Sequence, residues 1–418
     1  MNEKLLQFIW QFQYFNKGEL KTVSNEGLQV IAAGQLNTNQ GPDFLDAKVK
    51  IGKTTWAGNI ELHLKSSDWK KHNHDKDANY KNVILHIVWE NDILVNEIPV
   101  LELRNRVSRV LQKRYEELMK TQGFIPCENI IASVRPVIIQ SWMDRMLAER
   151  LTRKTNEVEK YLKQNNYHWE ETFWWLLARN FGMKINADAF EAVAKSIPLA
   201  VLAKHKNQIH QLEGLLLGQA GLLNKKFKDE YPILLSREYE FLKKKYTLHA
   251  IQQPVYFLRM RPGNFPTIRL AQLAMLINSS VHLFSKIRET KSVDELKKSF
   301  AVIANDYWHY HYRFDDEGSF KQKKLGSVMI DNILINTVCT LLFAYGHLKK
   351  EAKFKDKAVG WLEEINAESN SITRGFESTG VSNKNARESQ ALIELKNLYC
   401  NKKRCLECAV GNAILKSN

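Results

Sequence analysis

Cysteine is scarce and odd in number, five in 418 residues, which excludes a disulfide-scaffolded fold. The thiols are expected to be reduced and the protein cytoplasmic. No uninterrupted apolar run approaches the roughly twenty residues of a membrane span. The longest candidate, Ile333 to Tyr345, is interrupted by Asn336 and two threonines and reads as a buried helix, so no membrane partner is expected. The opening MNEKLLQFIWQFQYF has acid and amide residues inside its apolar stretch and no small-residue cleavage site, unlike a secretory signal. Fixed-period repeats and low-complexity tracts are also missing.

What is present is globular. The chain is 44% hydrophobic and 26% charged, so it is not built for wholesale disorder, and ten Trp and nineteen Phe can fill a sizeable core. Its net charge of +15 is uneven. Residues 1–105 hold 12 Lys+Arg and 13 Asp+Glu, leaving 49 and 33 of the chain's 61 and 46 to residues 106–418, a net of +16 there. A confined basic excess fits either a polyanion surface, nucleic acid before membrane, or a lysine-rich soluble helical face.

Texture divides the chain near residue 105. After an amphipathic opening (3–15), the stretches 28–34, 44–52, 54–65, 82–91 and 93–103 are short, β-branched and often alternating, with turn signals between them. The last two, joined at Asn91-Asp92, predict an antiparallel hairpin. From Arg104 onward the pattern is helical: 141–164 and 239–251 carry apolar residues at three- and four-residue spacing, and FWWLLARNFG (173–182) reads as a core helix. The expected fold class is α+β. A small N-terminal α/β domain (1–105) with a mixed, nuclease-like sheet precedes a large, basic all-α domain (106–418), in one or two subdomains.

The segment 41–69, GPDFLDAKVKIGKTTWAGNIELHLKSSDW, carries the chemistry. Asp43 and Asp46 stand at the start of one strand, and Glu61, His63 and Lys65 lie two apart on the next, sharing one face. Acids on neighbouring strands can hold a hard divalent cation, magnesium or manganese. His63 or Lys65 beside it could orient a water or take its proton. Gly58 within the strand marks a bulge or a close backbone approach. Nearby, His72, His74, Asp75, Asp77 and His86 offer further ligands; His72 and His74 read as a solvated loop, whereas His86 alternates with its neighbours and can face the site as a third metal ligand.

These residues resemble the PD-(D/E)xK phosphodiesterase superfamily. Pro42-Asp43 matches its PD half, and Glu61-Leu62-His63 stands where its acid-x-Lys belongs. The resemblance implies metal ligation by Asp43 and Glu61 and a metal-dependent nuclease. The usual Lys is His63, with Lys65 one pleat on, so the alternative is a non-catalytic nucleic-acid- or protein-binding module on a degenerate nuclease fold. Over the whole chain, GPDFLDAKV, GNIELHLKSSDW, DANYKNVILHIVWEND, RPGNFPTIRLAQLA and YCNKKRCLECAVGNAIL are similar to an uncharacterised bacterial family, domain of unknown function 2851.

Two other features are candidates. Cys400, Cys405 and Cys408 form C-x4-C-x2-C, three of the four ligands of a structural zinc, with Cys339 or Cys127 as a distant fourth; small buried thiols at a helix base are the competing reading. For nucleic acid, NDYWHYHYRF (305–314) interleaves rings with cations, among them Tyr310 and Arg313, and RMRPGNFPTIR sets Arg259, Arg261 and Arg269 around a rigid turn at a helix start.

Overall fold

The structure is a computed structural model and describes residues 1–93, 98–280 and 282–416. It divides into two compact units, residues 1–143 with 377–381 and 395–418, and residues 144–376 with 382–394. The first unit therefore runs past residue 105 and takes in the C-terminal cysteine segment.

Unit 1 opens with α1 (Glu3–Gln11), capped by the Asn2 side chain, which accepts the Leu5 N–H at 2.9 Å. Its apolar face, Leu5, Leu6, Ile9 and Trp10, is fully buried, and the helix packs on the fourth strand. The strands are β1 (Leu28–Ala32), β2 (Gln35–Leu36), β3 (Phe44–Ile51), β4 (Thr54–Lys65), β5 (Val83–Glu90) and β6 (Val100–Glu102). They lie in the order β1-β3-β4-β5-β6, with β2 paired to β3. β3 pairs antiparallel with β1 and β4, whereas β4 pairs parallel with β5 and β5 parallel with β6, so the sheet is mixed.

The parallel β5–β6 pairing corrects the hairpin expected over 82–103. The chain must return along the sheet between Glu90 and Val100 before pairing again, and residues 94–97 of the expected strand lie outside the described residues. Parallel pairing of β4 with β5 likewise demands a crossover. Here it is residues 66–82, which contain α2 (Asp68–Lys71) and both His72 and His74.

Two local irregularities shape β3 and β4. Asp46 takes the left-handed conformation (φ 58°) where the β3 register slips between Phe44 and Ala47, a bulge that leaves Asp46 exposed. Gly58 is a close approach: a Cβ there would stand 2.5 Å from the Asn82 carbonyl oxygen and 2.6 Å from Ile84 Cγ2. Gly58→Ala must force β4 and β5 apart. Unit 1 is expected to lose about 1–3 kcal/mol, the usual cost of overpacking, read as a lower denaturant midpoint; an unchanged midpoint would show that the strands yield freely.

Among the described residues, unit 2 is mainly helical, with a two-stranded hairpin of His311–Arg313 and Asp316–Glu317. The helix Trp169–Phe181 buries Phe173, Trp174, Trp175, Leu177 and Phe181, as its sequence predicts. The stretch Ser327–Leu348 is long and apolar enough to cross a membrane by length and composition, yet 61% of its most apolar window is buried inside the fold.

Candidate functional site

The parallel register sets Glu61 beside His86, His63 beside Val88 and Lys65 beside Glu90. By the two-residue period Glu61, His63 and Lys65 share a face. Glu61, His63 and His86 are buried, at 6%, 2% and 0% exposure, while Lys65 lies at the exposed end of β4.

Asp43 stands just before β3, next to β4. Its Oδ2 accepts the Leu62 N–H (3.0 Å) and its Oδ1 accepts Gln7 Nε2 from α1 (2.7 Å). Its own N–H donates to Glu61 Oε2 (3.0 Å). Asp43 thus stands beside Glu61 at the entrance to β3; each of its oxygens accepts one hydrogen bond, from Leu62 and from Gln7, and its N–H acts as a clasp that orients Glu61.

The remaining Glu61 oxygen faces the histidines. Oε1 lies 3.6 Å from both His63 Nε2 and His74 Nε2, and His63 Nε2 lies 3.2 Å from His72 Nδ1. His63, His72 and His74 bring three ligand nitrogens within 4.8 Å of one another. A tetrahedral ion with bonds of roughly 2.0–2.1 Å separates its donors by roughly 3.3–3.4 Å. The 3.2 Å and 3.6 Å separations lie near that value, and His74 Nε2 is a buried nitrogen with no hydrogen-bond partner.

His86 does not join the donor set. Its Nε2 is 2.9 Å from His63 Nδ1, which makes it the partner that orients the His63 ring and corrects the expected ligand role. With the shared proton on His63 Nδ1, the His63 Nε2 lone pair faces Glu61, His72 and His74. Trp69, the buried residue of α2, meets the rings of His74 (5.4 Å) and His86 (5.2 Å), and Tyr80 stacks on His74 (3.8 Å). The crossover is thereby pinned over β4. His72, in contrast, is exposed.

The electrostatics follow from burial. Burial, and then the Asp43 charge, push the Glu61 carboxyl up to about 8; burial raises Asp43 to about 6, against its hydrogen bonds from Leu62 and Gln7. Burial, then the neighbouring imidazoles of His86, His74 and His72, lower His63 to about 3. His86 falls to about 4 through burial and then His74, and His74 falls through burial and then His72. Neutral imidazoles with available lone pairs are the form that binds metals.

The expected nucleic-acid residues fare differently. Arg269 is 7% exposed and donates to Gln272 Oε1 (2.8 Å) and Asn264 Oδ1 (2.5 Å), so it lines a cavity of about 610 Å³ in unit 2 instead of an open anion surface. Arg313 stands over the rings of Phe257 and Phe265, and Tyr310 is 45% exposed beside Phe320. Trp308 is fully buried and Tyr307 stacks on His311 at 4.0 Å, so much of this aromatic run is internal packing. Arg259 and Arg261 are exposed. Cys127, Cys400, Cys405 and Cys408 all belong to unit 1, whereas Cys339 is buried in unit 2. His72 and His74 are the residues that sequence reasoning discounted; the only signal was their H-x-H spacing in the link between two strands.

Fold and site define an α+β protein with a histidine–carboxylate cluster built on a mixed sheet. The chain belongs to the family described as "Protein of unknown function (DUF2851)", whose model matches residues 3–371. No curated protein and no solved structure matches it.

Proposed function

We propose that the protein is a metal-dependent phosphodiester hydrolase acting on nucleic acid, with a divalent metal held by Glu61, His63 and His74 and with His72 at the solvent edge. The reading rests on one observation: Glu61 Oε1 lies 3.6 Å from His63 Nε2 and from His74 Nε2, and His72 Nδ1 lies 3.2 Å from His63 Nε2. A metal there would supply Lewis acidity and activate water near neutral pH. The chain's own groups do the remaining work. His86 fixes the His63 ring, the Asp43 N–H fixes Glu61, and exposed His72 can accept or pass on a proton. Imidazole donors suit zinc better than magnesium, and the Glu61 carboxylate is a donor type that manganese takes. The substrate class draws on the PD-(D/E)xK resemblance at Asp43 and Glu61 and on the +16 balance of residues 106–418.

One feature favours a second reading. His63, His72 and His74 form a three-nitrogen set beside Glu61, and were Glu61 to close it as a fourth ligand the site would be of the four-ligand, structural kind. The protein would then be a non-catalytic nucleic-acid- or protein-binding module.

The test combines metal analysis with cleavage of plasmid, linear and single-stranded DNA and of RNA, in manganese or zinc. Wild type is expected to cleave at least one of them. His72→Ala should keep its metal and lose about 100-fold or more in rate, the scale of a proton-transfer group. Metal-loaded wild type that cleaves none of them, with metal lost from His72→Ala, would establish the structural reading instead.

A further inference from the structure

The cavity of about 610 Å³ lies wholly within unit 2, and its chemistry differs from that of the histidine site. Its volume is in the usual range for a small organic ligand, roughly 300–1,000 Å³. Arg269 reaches it from the helix Pro266–Ser279, which is buried along most of its length. Asn264, in the turn before that helix, and Asn332, Asn336 and Thr337, from the run Ser327–Leu348, also line it. Asn336 and Thr337 sit in a π-helical stretch, Leu334–Cys339; such wide turns inside an α-helix recur at functional sites.

Arg269 is an uncompensated charge in this wall. Its Nη1 donates to Gln272 Oε1 (2.8 Å) and its Nη2 to Asn264 Oδ1 (2.5 Å), both neutral amides, and its Nε is buried with no partner. Among the described residues no carboxylate pairs with it. Burial alone acts on the group and lowers it to about 10, so it stays cationic at neutral pH. Arg150 shows the alternative: buried in the same unit, it has Glu394 at 3.3 Å. A buried cation with no counter-ion is costly, and a ligand that brings the negative charge removes that cost. The other lining charges lean the same way. Lys154, Arg179 and Lys184 join Arg269 against one acid, Glu157, which Arg153 and Lys154 already hold at 2.9 and 2.7 Å. Arg179 is held by Asp188 and Glu191, whereas Lys184 is exposed.

We propose that this cavity binds a small amphipathic carboxylate, with its charged end beside Arg269 and Asn264 and its apolar body along Val158, Leu176, Met183 and Val328. A guanidinium is the side chain best shaped to hold a carboxylate in a desolvated place. It balances one negative charge. A phosphate dianion would bury a second charge against a wall with this many apolar side chains. Met183 is unbranched and polarizable and can fit its chain to ligands of differing shape. Val328 is 83% exposed and lines the cavity, so it stands at the mouth. A valine so exposed gains nothing from the fold, and it leaves water when an apolar body lies over it. The binding is separate from the activity proposed above, whose residues belong to unit 1.

The test is calorimetric titration of the full chain with decanoate and with 2-naphthoate, one a chain and one a ring, against their primary amides and inorganic phosphate. At least one carboxylate is expected to bind saturably and to raise the melting temperature. Its amide, neutral and of nearly the same shape, should bind at least about tenfold more weakly, and so should phosphate. Arg269→Gln should weaken carboxylate binding by about tenfold or more, the effect of losing a charged hydrogen-bond donor. Should Arg269→Gln prove insoluble, Val328→Asp keeps the question open to measurement, since it changes an exposed first-turn position where an acid suits the helix. It sets a like charge at the mouth and must weaken the carboxylate by about tenfold or more while leaving the amide within about threefold. No binding by either carboxylate, an amide or phosphate that binds as well, or affinity unchanged in the variants would each overturn the assignment.

Discussion

Glu61→Gln is expected to empty the histidine site of metal and to lower any phosphodiester cleavage by at least about 100-fold. Glutamine keeps the shape of the side chain and an oxygen to accept the Asp43 N–H, which glutamate accepts at 3.0 Å. What it loses is the charge at Oε1, midway between His63 Nε2 and His74 Nε2 at 3.6 Å from each. Burial raises the Glu61 carboxyl to about 8, so cation binding releases its proton. The resulting carboxylate is the anionic member of an otherwise neutral set, on which a divalent cation in a buried site depends. His86→Ala acts one step away. It leaves every donor in place and frees the His63 ring, so metal affinity should fall by about 10–100-fold, the usual effect of removing an orienting partner. Elemental analysis after dialysis and a metal titration read both. Full metal occupancy in Glu61→Gln would remove Glu61 from the ligand set and the proposed activity with it.

Unit 2 should lose stability as pH rises from 4.5 to 7, and Glu213→Gln should remove most of that loss. Glu213 is fully buried; its Oε2 accepts from Trp308 Nε1 and the Tyr231 hydroxyl, each at 2.8 Å, and its Oε1 has no partner. Burial pushes its carboxyl up to about 7, against the lowering effect of those two donors. The folded state therefore holds the proton more tightly than the unfolded chain. The stabilisation is complete below the unfolded value near 4.5 and disappears as pH passes the folded value near 7. A shift of this size corresponds to about 3 kcal/mol, or several degrees in melting temperature for a unit of this length. Melting curves of wild type and Glu213→Gln from pH 4 to 8 check it. Parallel curves for the two proteins would place the pH dependence elsewhere.

Much of the fold was legible because it is written in local periodicity. Alternation in 44–52 and 54–65 marks β3 and β4, the three- and four-residue spacing of Leu5, Leu6, Ile9 and Trp10 marks α1, and the aromatic run 173–181 marks a core helix. The two-residue period also gives the shared face of Glu61, His63 and Lys65. Strand direction is not a local property: β5 and β6 have the composition of a hairpin and pair in parallel. Arg269 failed for a related reason. Its sequence neighbours predict an exposed helix start, whereas its surroundings in unit 2 bury it against Asn264 and Gln272.

The sequence by itself determined the strands and helices, the confined basic excess, the neighbouring positions of Asp43 and Glu61, and the glycine that lets β4 and β5 approach. Only the tertiary structure decided the chemistry at the site. Parallel pairing of β4 and β5 forces residues 66–82 to cross the sheet, and buried Trp69 holds that crossover over β4. His72 and His74, which as sequence are residues of a polar link, thereby meet His63 and Glu61. Ligands convene through contacts remote in sequence, and no local pattern records which segments the packed core will bring together.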